Sequence, residues 1–147
     1  MKRTIRERVN APYTLHDRNI VAFDIVQEET LDTLILRIQP GIKKCVMEYV
    51  QENGYVEFQK VDWDFSSAYV INTTENEGKF TGEKFFLKDF IAQFGNSNLE
   101  IVDENYGAYQ TKYSGWLSRG DLRKEAWKEC IIEIVHLGDM VFVTEEE

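Results

Sequence analysis

Histidine and cysteine are both scarce in this chain, with two of each in 147 residues. A structural zinc site needs about three or four His or Cys ligands, usually as close pairs. His16, His136, Cys45 and Cys130 offer no C-x-x-C or H-x-x-x-H spacing, so no metal is expected. Two cysteines are also too few for a disulfide-stapled secreted scaffold. Each stands beside apolar residues, Val46-Met47 and Ile131-Ile132, and both are expected as small buried side chains on strands. Long apolar runs are absent, and none approaches the ~20 residues a membrane-spanning helix requires. The amino-terminal stretch is charged but has no apolar core of a secretory signal, so the expected compartment is the cytoplasm and no membrane is expected. There is no G-x-S-x-G, G-x-G-x-x-G or G-x-x-x-x-G-K-[ST], which removes the usual signatures of serine-hydrolase and nucleotide chemistry. No cofactor is expected.

Basic charge is in the minority: 17 Lys and Arg stand against 26 Asp and Glu, a net of −9. Such a chain repels phosphate backbones, so nucleic acid is a poor partner and a basic protein surface a good one. The sign is uneven. Residues 1–18 hold five basic residues against two acidic, a net of +3, leaving −12 for the rest. This segment reads as a basic strand or arm (1–17) lying on an acidic body, with Glu145, Glu146 and Glu147 as a solvated tail.

What is abundant is alternation. A length of 147 residues suits one domain, with 43% apolar and 13% aromatic residues for a core. Val21, Phe23 and Ile25 alternate with their neighbours, as do Leu34, Leu36 and Ile38, and the polar link 27–32 makes them a hairpin. Pro40-Gly41 is expected to stop the second strand. A third run covers 43–50, and Glu52-Asn53-Gly54 reads as a hairpin turn, Asn-Gly being the strongest short signal of one. The next strand starts at Tyr55 and is expected to reach Phe65, with Val61, Trp63 and Phe65 on one face and Asp62 and Asp64 on the other. Tyr69 and Ile71 continue the pattern, 72–78 is a loop, and 79–86 is a strand broken or bent at Gly82.

Leu87, Phe90, Ile91 and Phe94 repeat at i, i+3, i+4 and i+7, the stripe of a short amphipathic helix over 87–94, with Gly95 placed to end it in the left-handed conformation. Leu99 to Asp103 is a short strand, 105–107 a turn or bulge, and 109–113 alternates again. The segment 118–128 fits a helical turn or a loop. Cys130–Val135 and Met140–Thr144, joined at Leu137-Gly138-Asp139, read as a closing hairpin. The expected fold is mainly β, α+β at the margin: a single-domain antiparallel sandwich or partly closed barrel of about nine strands with one helix.

Candidate chemistry is thin. Asp62 and Asp64 on one strand face would sit about 7 Å apart, a spacing suited to paired acid and base work or to a hard cation. The simpler reading is a polar face outward. His136 shares strand parity with Ile132 and Ile134 and reads more naturally as a packed histidine than as a base. His16 and Asp17, adjacent on a strand, would point to opposite faces. The 19 aromatics are the surplus, and Tyr106, Tyr109, Tyr113 and Trp116 cluster within eleven residues, the best candidate for a binding surface. The chain resembles toxin-neutralising immunity proteins in general character: acidic, compact, poor in motifs. The leading expectation is a non-enzymatic interaction module with a basic partner; the alternatives are a β-barrel binding an apolar ligand and a hydrolase using the Asp pair.

Overall fold

A computed structural model of the chain describes residues 1–7, 12–45, 51–72, 81–118 and 127–145. Residues 73–78 of the loop expected at 72–78, most of the 118–128 segment, the end of the 43–50 run, Arg8, Glu146 and Glu147 lie outside the described residues, while Asn72 ends a strand. Among the described residues, eleven strands and one helix follow in the order β1 Lys2–Ile5, β2 Tyr13–Thr14, β3 Asn19–Val26, β4 Thr33–Lys44, β5 Gln51–Phe58, β6 Ser67–Asn72, β7 Thr81–Phe86, α1 Leu87–Phe94, β8 Asn98–Tyr106, β9 Gln110–Ser118, β10 Lys128–Val135 and β11 Met140–Thr144. All pairings are antiparallel, and the sheet reads β1-β11-β5-β4-β3-β8-β9-β10-β6-β7, with β2 beside β4. The fold is mainly antiparallel β, as expected, with eleven described strands against the expected nine in a sheet that does not close, and among the described residues the one helix is the expected one at 87–94.

The sheet works as two halves. β3 and β8 share only the pairs Asn19–Glu100 and Ile20–Leu99, and this short seam lets the halves fold onto each other. Inward residues of both then share one core. Phe58 of β5 meets Tyr113 of β9 edge-to-face at 6.4 Å, and Leu34, Leu36 and Phe142 pack in the same cluster as Leu99, Ile101, Cys130, Ile132 and Ile134. The helix covers the open side of this core. Phe90 touches Phe23 of β3, Phe85 of β7 and Phe94, so one aromatic cluster spans from one half to the other.

Several local signals are overridden by tertiary partners. The expected closing hairpin is two real strands that do not pair: β10 lies between β9 and β6, β11 between β1 and β5, and residues 136–139 carry the chain across from one half to the other. Asn53-Gly54 is not a turn but part of β5, where Gly54 pairs with both Ile38 and Thr144; a Cβ there would overlap the Val143 carbonyl oxygen, so the glycine serves close strand approach. Pro40-Gly41 does not end β4. The ladder to β5 skips from Ile38 to Ile42 and resumes, which places the proline where no N–H is needed. β7 runs through Gly82 unbroken, paired with Ile71. Gly95 is right-handed (φ −61°, ψ −19°), not left-handed; its Cβ would sit 2.5 Å from the Ile91 carbonyl oxygen. Cys130 is buried on β10 as expected, but Cys45 is exposed in a bend after β4. Finally, β5 stops at Phe58, and Asp62–Phe65 forms a turn rather than a strand, with one bridge from Val61 to His136.

Candidate docking face

The outer face of the β8-β9-β10-β6-β7 half follows from pairing register alone. Side chains directly opposite on antiparallel neighbours share a face. One row reads Glu100, Trp116, Glu129, Ile71 and Gly82 across the five strands. The next reads Asp103, Ser114, Ile131, Tyr69 and Lys84, and the third Asn105, Lys112, Glu133, Ser67 and Phe86. Their neighbours along each strand, such as Leu117, Ile132 and Val70, are buried, which fixes these rows as outward. The result is an aromatic and aliphatic band carrying four acids and two lysines. Trp116 is 38% exposed and Phe86 59%, a large apolar area to leave in water. Both lysines are engaged on the face itself: Lys112 reaches Glu133 at 3.7 Å, and Lys84 stands 5.4 Å over the Tyr69 ring.

A cleft of about 380 Å³ opens at the β7 end of this face. Its walls include Phe86, Glu133, Asp64 and Phe65, and Phe65 is 72% exposed. The turn that presents Asp64 and Phe65 is tightly held. Asp62 Oδ1 accepts the Asp64 N–H (3.1 Å), and buried Ser66 Oγ donates to the Asp62 carbonyl (2.7 Å) while accepting the Val135 N–H (2.9 Å). The Asp62 carboxylate is thus a turn brace, and the two acids do not form the strand-face pair expected from their alternation. Trp63, partly buried against the core, donates its indole N–H to Asp32 Oδ2 at 2.9 Å.

The four expected binding aromatics separate. Tyr113 is fully buried and Tyr106 partly, whereas Tyr109 (56%) and Trp116 are exposed. Register explains Tyr106. The β8–β9 ladder shifts between Ile101 and Asp103, a bulge that reverses which side each following residue faces, so Glu104 and Tyr106 turn inward beside Tyr113. There Glu104 accepts from the Thr14 hydroxyl (2.6 Å), the Leu15 N–H (2.6 Å) and the Tyr106 hydroxyl (2.7 Å), and the Tyr113 hydroxyl donates onward to Tyr106 (3.2 Å). Burial, with the Glu104 charge beside it, pushes both phenols far above the ordinary tyrosine range. This network ties the 12–15 segment to β8 and has no free acid or base to offer.

His136 is 1% exposed, at the base of a cleft of about 190 Å³ lined also by Arg6, Tyr109 and Asp139. Its Nδ1 lies 3.1 Å from the Gly138 carbonyl, which can only accept, so Nδ1 carries the proton and Nε2 accepts from Thr111 Oγ1 at 2.9 Å. The ring packs edge-on against Phe58 at 5.2 Å. Both nitrogens are satisfied, and burial lowers its pKa below the ordinary imidazole value. A depressed histidine contributes stability above the unfolded pKa and loses it as pH falls, because the unfolded chain takes up a proton the folded one refuses. Urea unfolding should therefore show stability declining from pH 7.5 to pH 5.5, with that slope reduced in His136→Gln; an unchanged slope in the variant would count against this assignment.

His16 and Asp17 meet at 3.1 Å because Asp17 adopts φ 61° in a turn, not because they share a strand; both are exposed. Burial and then the Glu104 charge raise the Cys45 thiol above its ordinary value, and burial pushes Cys130 up to about 12, so neither is activated as a nucleophile. Among the described residues no group of three or more His, Cys, Asp or Glu is placed to hold a metal, and no helix is long and apolar enough to cross a membrane. No family model, curated protein or solved structure matches this chain.

Proposed function

We propose that the protein is a non-enzymatic binding module that docks a basic protein partner on the outer face of the β8-β9-β10-β6-β7 half. The observation that supports this is the register, which sets Trp116, Ile131, Tyr69, Ile71 and Phe86 among Glu100, Glu129 and Glu133 on one face. Exposed aromatics supply the apolar area that holds a partner, and the acids steer a basic surface toward them. In this reading the buried His136 and Tyr113 and the partly buried Tyr106 serve the fold through their hydrogen bonds.

The test uses the full chain as bait against extract from its native cell. Partner capture should fall at least tenfold with Trp116→Ala and with the pair Glu129→Lys and Glu133→Lys, and should weaken as salt rises. Glu28→Lys with Glu29→Lys, in the cleft of about 690 Å³ on the other half, should leave it unchanged. Equal capture by the face variants would refute the reading.

A further inference from the structure

We infer that the cleft between Phe65 and Phe86 is a recognition pocket for an arginine side chain. The inference rests on the docking reading only for the source of that arginine, the basic partner itself. Phe86, Ser67 and Glu133 are consecutive across β7, β6 and β10. Neighbouring strands lie about 4.8 Å apart, so an aromatic ring and a carboxylate flank a trough about 10 Å wide. The small Ser67 forms its floor, and the turn bearing Asp64 and Phe65 closes its end. A cleft of about 380 Å³ has room for one long side chain and its neighbours.

Its chemistry selects a flat organic cation. Two exposed phenyl rings offer negative faces, and Asp64 and Glu133 offer acceptors at the rim. A guanidinium stacks on a ring and bonds a carboxylate in the same pose, and it loses its hydration more readily than an ammonium does. The chain already uses rings this way nearby: Lys88 stands 5.7 Å over Trp63, and Lys84 stands 5.4 Å over Tyr69, one row from the trough. Among the described residues no cation stands over Phe65 or Phe86, although these rings are the more exposed. Lys84 lines the cleft but is held by Tyr69, and among the described residues Glu133 has only the loose 3.7 Å contact with Lys112. An arriving arginine thus meets a carboxylate that no close ion pair has already satisfied.

The test is an amide NMR titration of the full chain with acetyl-Gly-Arg-Gly-amide, its citrulline counterpart and its lysine counterpart. The arginine peptide should give saturable shifts centred on residues 64–67, Phe86 and Glu133. Citrulline, which keeps the shape and loses the charge, should bind at least fivefold more weakly, and lysine more weakly than arginine. Phe65→Ala and Glu133→Gln, both at positions outside the core, should each weaken the arginine response at least fivefold. Absence of saturable shifts, equal binding of citrulline or lysine, or an unchanged response in Phe65→Ala would each overturn the pocket. Partner capture that depends on Trp116 while the arginine peptide is silent would remove the pocket alone and leave the docking face standing.

Discussion

Replacing Gly115 by valine should abolish stable folding. Gly115 lies mid-β9, paired with Ile101 on β8 and Cys130 on β10, and is buried. The bulge that begins at Ile101 brings the β8 backbone inward here. A Cβ on residue 115 would overlap the Glu100 carbonyl oxygen, sit 2.8 Å from the carbon bearing it and stand 3.1 Å from the Val102 nitrogen. These are backbone atoms, and no side-chain rotation relieves them. Ordinary overpacking costs roughly 1–3 kcal/mol, and a backbone collision inside a three-strand ladder should exceed that, at about 4 kcal/mol or more. Domains of this size hold only about 5–15 kcal/mol in total. Alanine, which adds the offending carbon alone, should already lower the urea midpoint by an amount worth about 3 kcal/mol. A Gly115→Ala protein with an unshifted midpoint would mean that β8 and β9 are not in this register. The outward rows would then be reassigned, and the docking face with them.

Phe90→Ala should cost about 3–5 kcal/mol, the range for removing a fully buried phenyl ring. Phe90 is 0% exposed and its ring contacts Phe94 at 5.2 Å, Phe23 at 6.0 Å and Phe85 at 6.4 Å. A two-turn helix is marginal alone, so α1 is held by this cluster. The ring touches Phe23 of β3 in one half and Phe85 of β7 in the other, so its loss opens the core on that flank. Lys88→Ala on the outer side of the same helix serves as the comparison and should shift stability by less than about 1 kcal/mol. Similar unfolding midpoints for the two variants would mean that the helix does not close the core.

The elements that were legible in the sequence are those whose signal is local. The helix at 87–94 needs only Leu87, Phe90, Ile91 and Phe94 at helical spacing, and its bounds agree with the structure. The hairpin of Asn19–Val26 and Thr33–Lys44 needs only two alternating runs and a polar link. What alternation cannot supply is the partner. Cys130–Val135 and Met140–Thr144 look like a hairpin because they are adjacent and alternate, yet each pairs with strands far away in sequence. Asn53-Gly54 carries a turn signature for a different reason, the close approach of residues 143–144. Asp62–Phe65 alternates over too few residues for a strand to be told from a turn. The candidate face was partly within reach: Tyr113 and Trp116 are three residues apart, an odd number, and on any strand they must point to opposite sides. Joining Trp116 to Glu129 and Ile71 required the register of three strands, which no single stretch of sequence contains.

The position of β11 sets when the sheet can be completed. Residues 140–144 lie between β1 and β5, and the pairs of β1 are all with residues 141–144. Synthesis delivers residues 2–5 well over a hundred residues before their ladder partners at 141–144. Until then β1 has no ladder partner among the described residues, and the edge of β5 that pairs with β11 is open. Long-range pairing of this kind slows folding and leaves strand edges open to other chains. Lys2 and Arg3 on this strand, and Arg6 just after it, put charge along its edge, which disfavours stacking on a copy of itself.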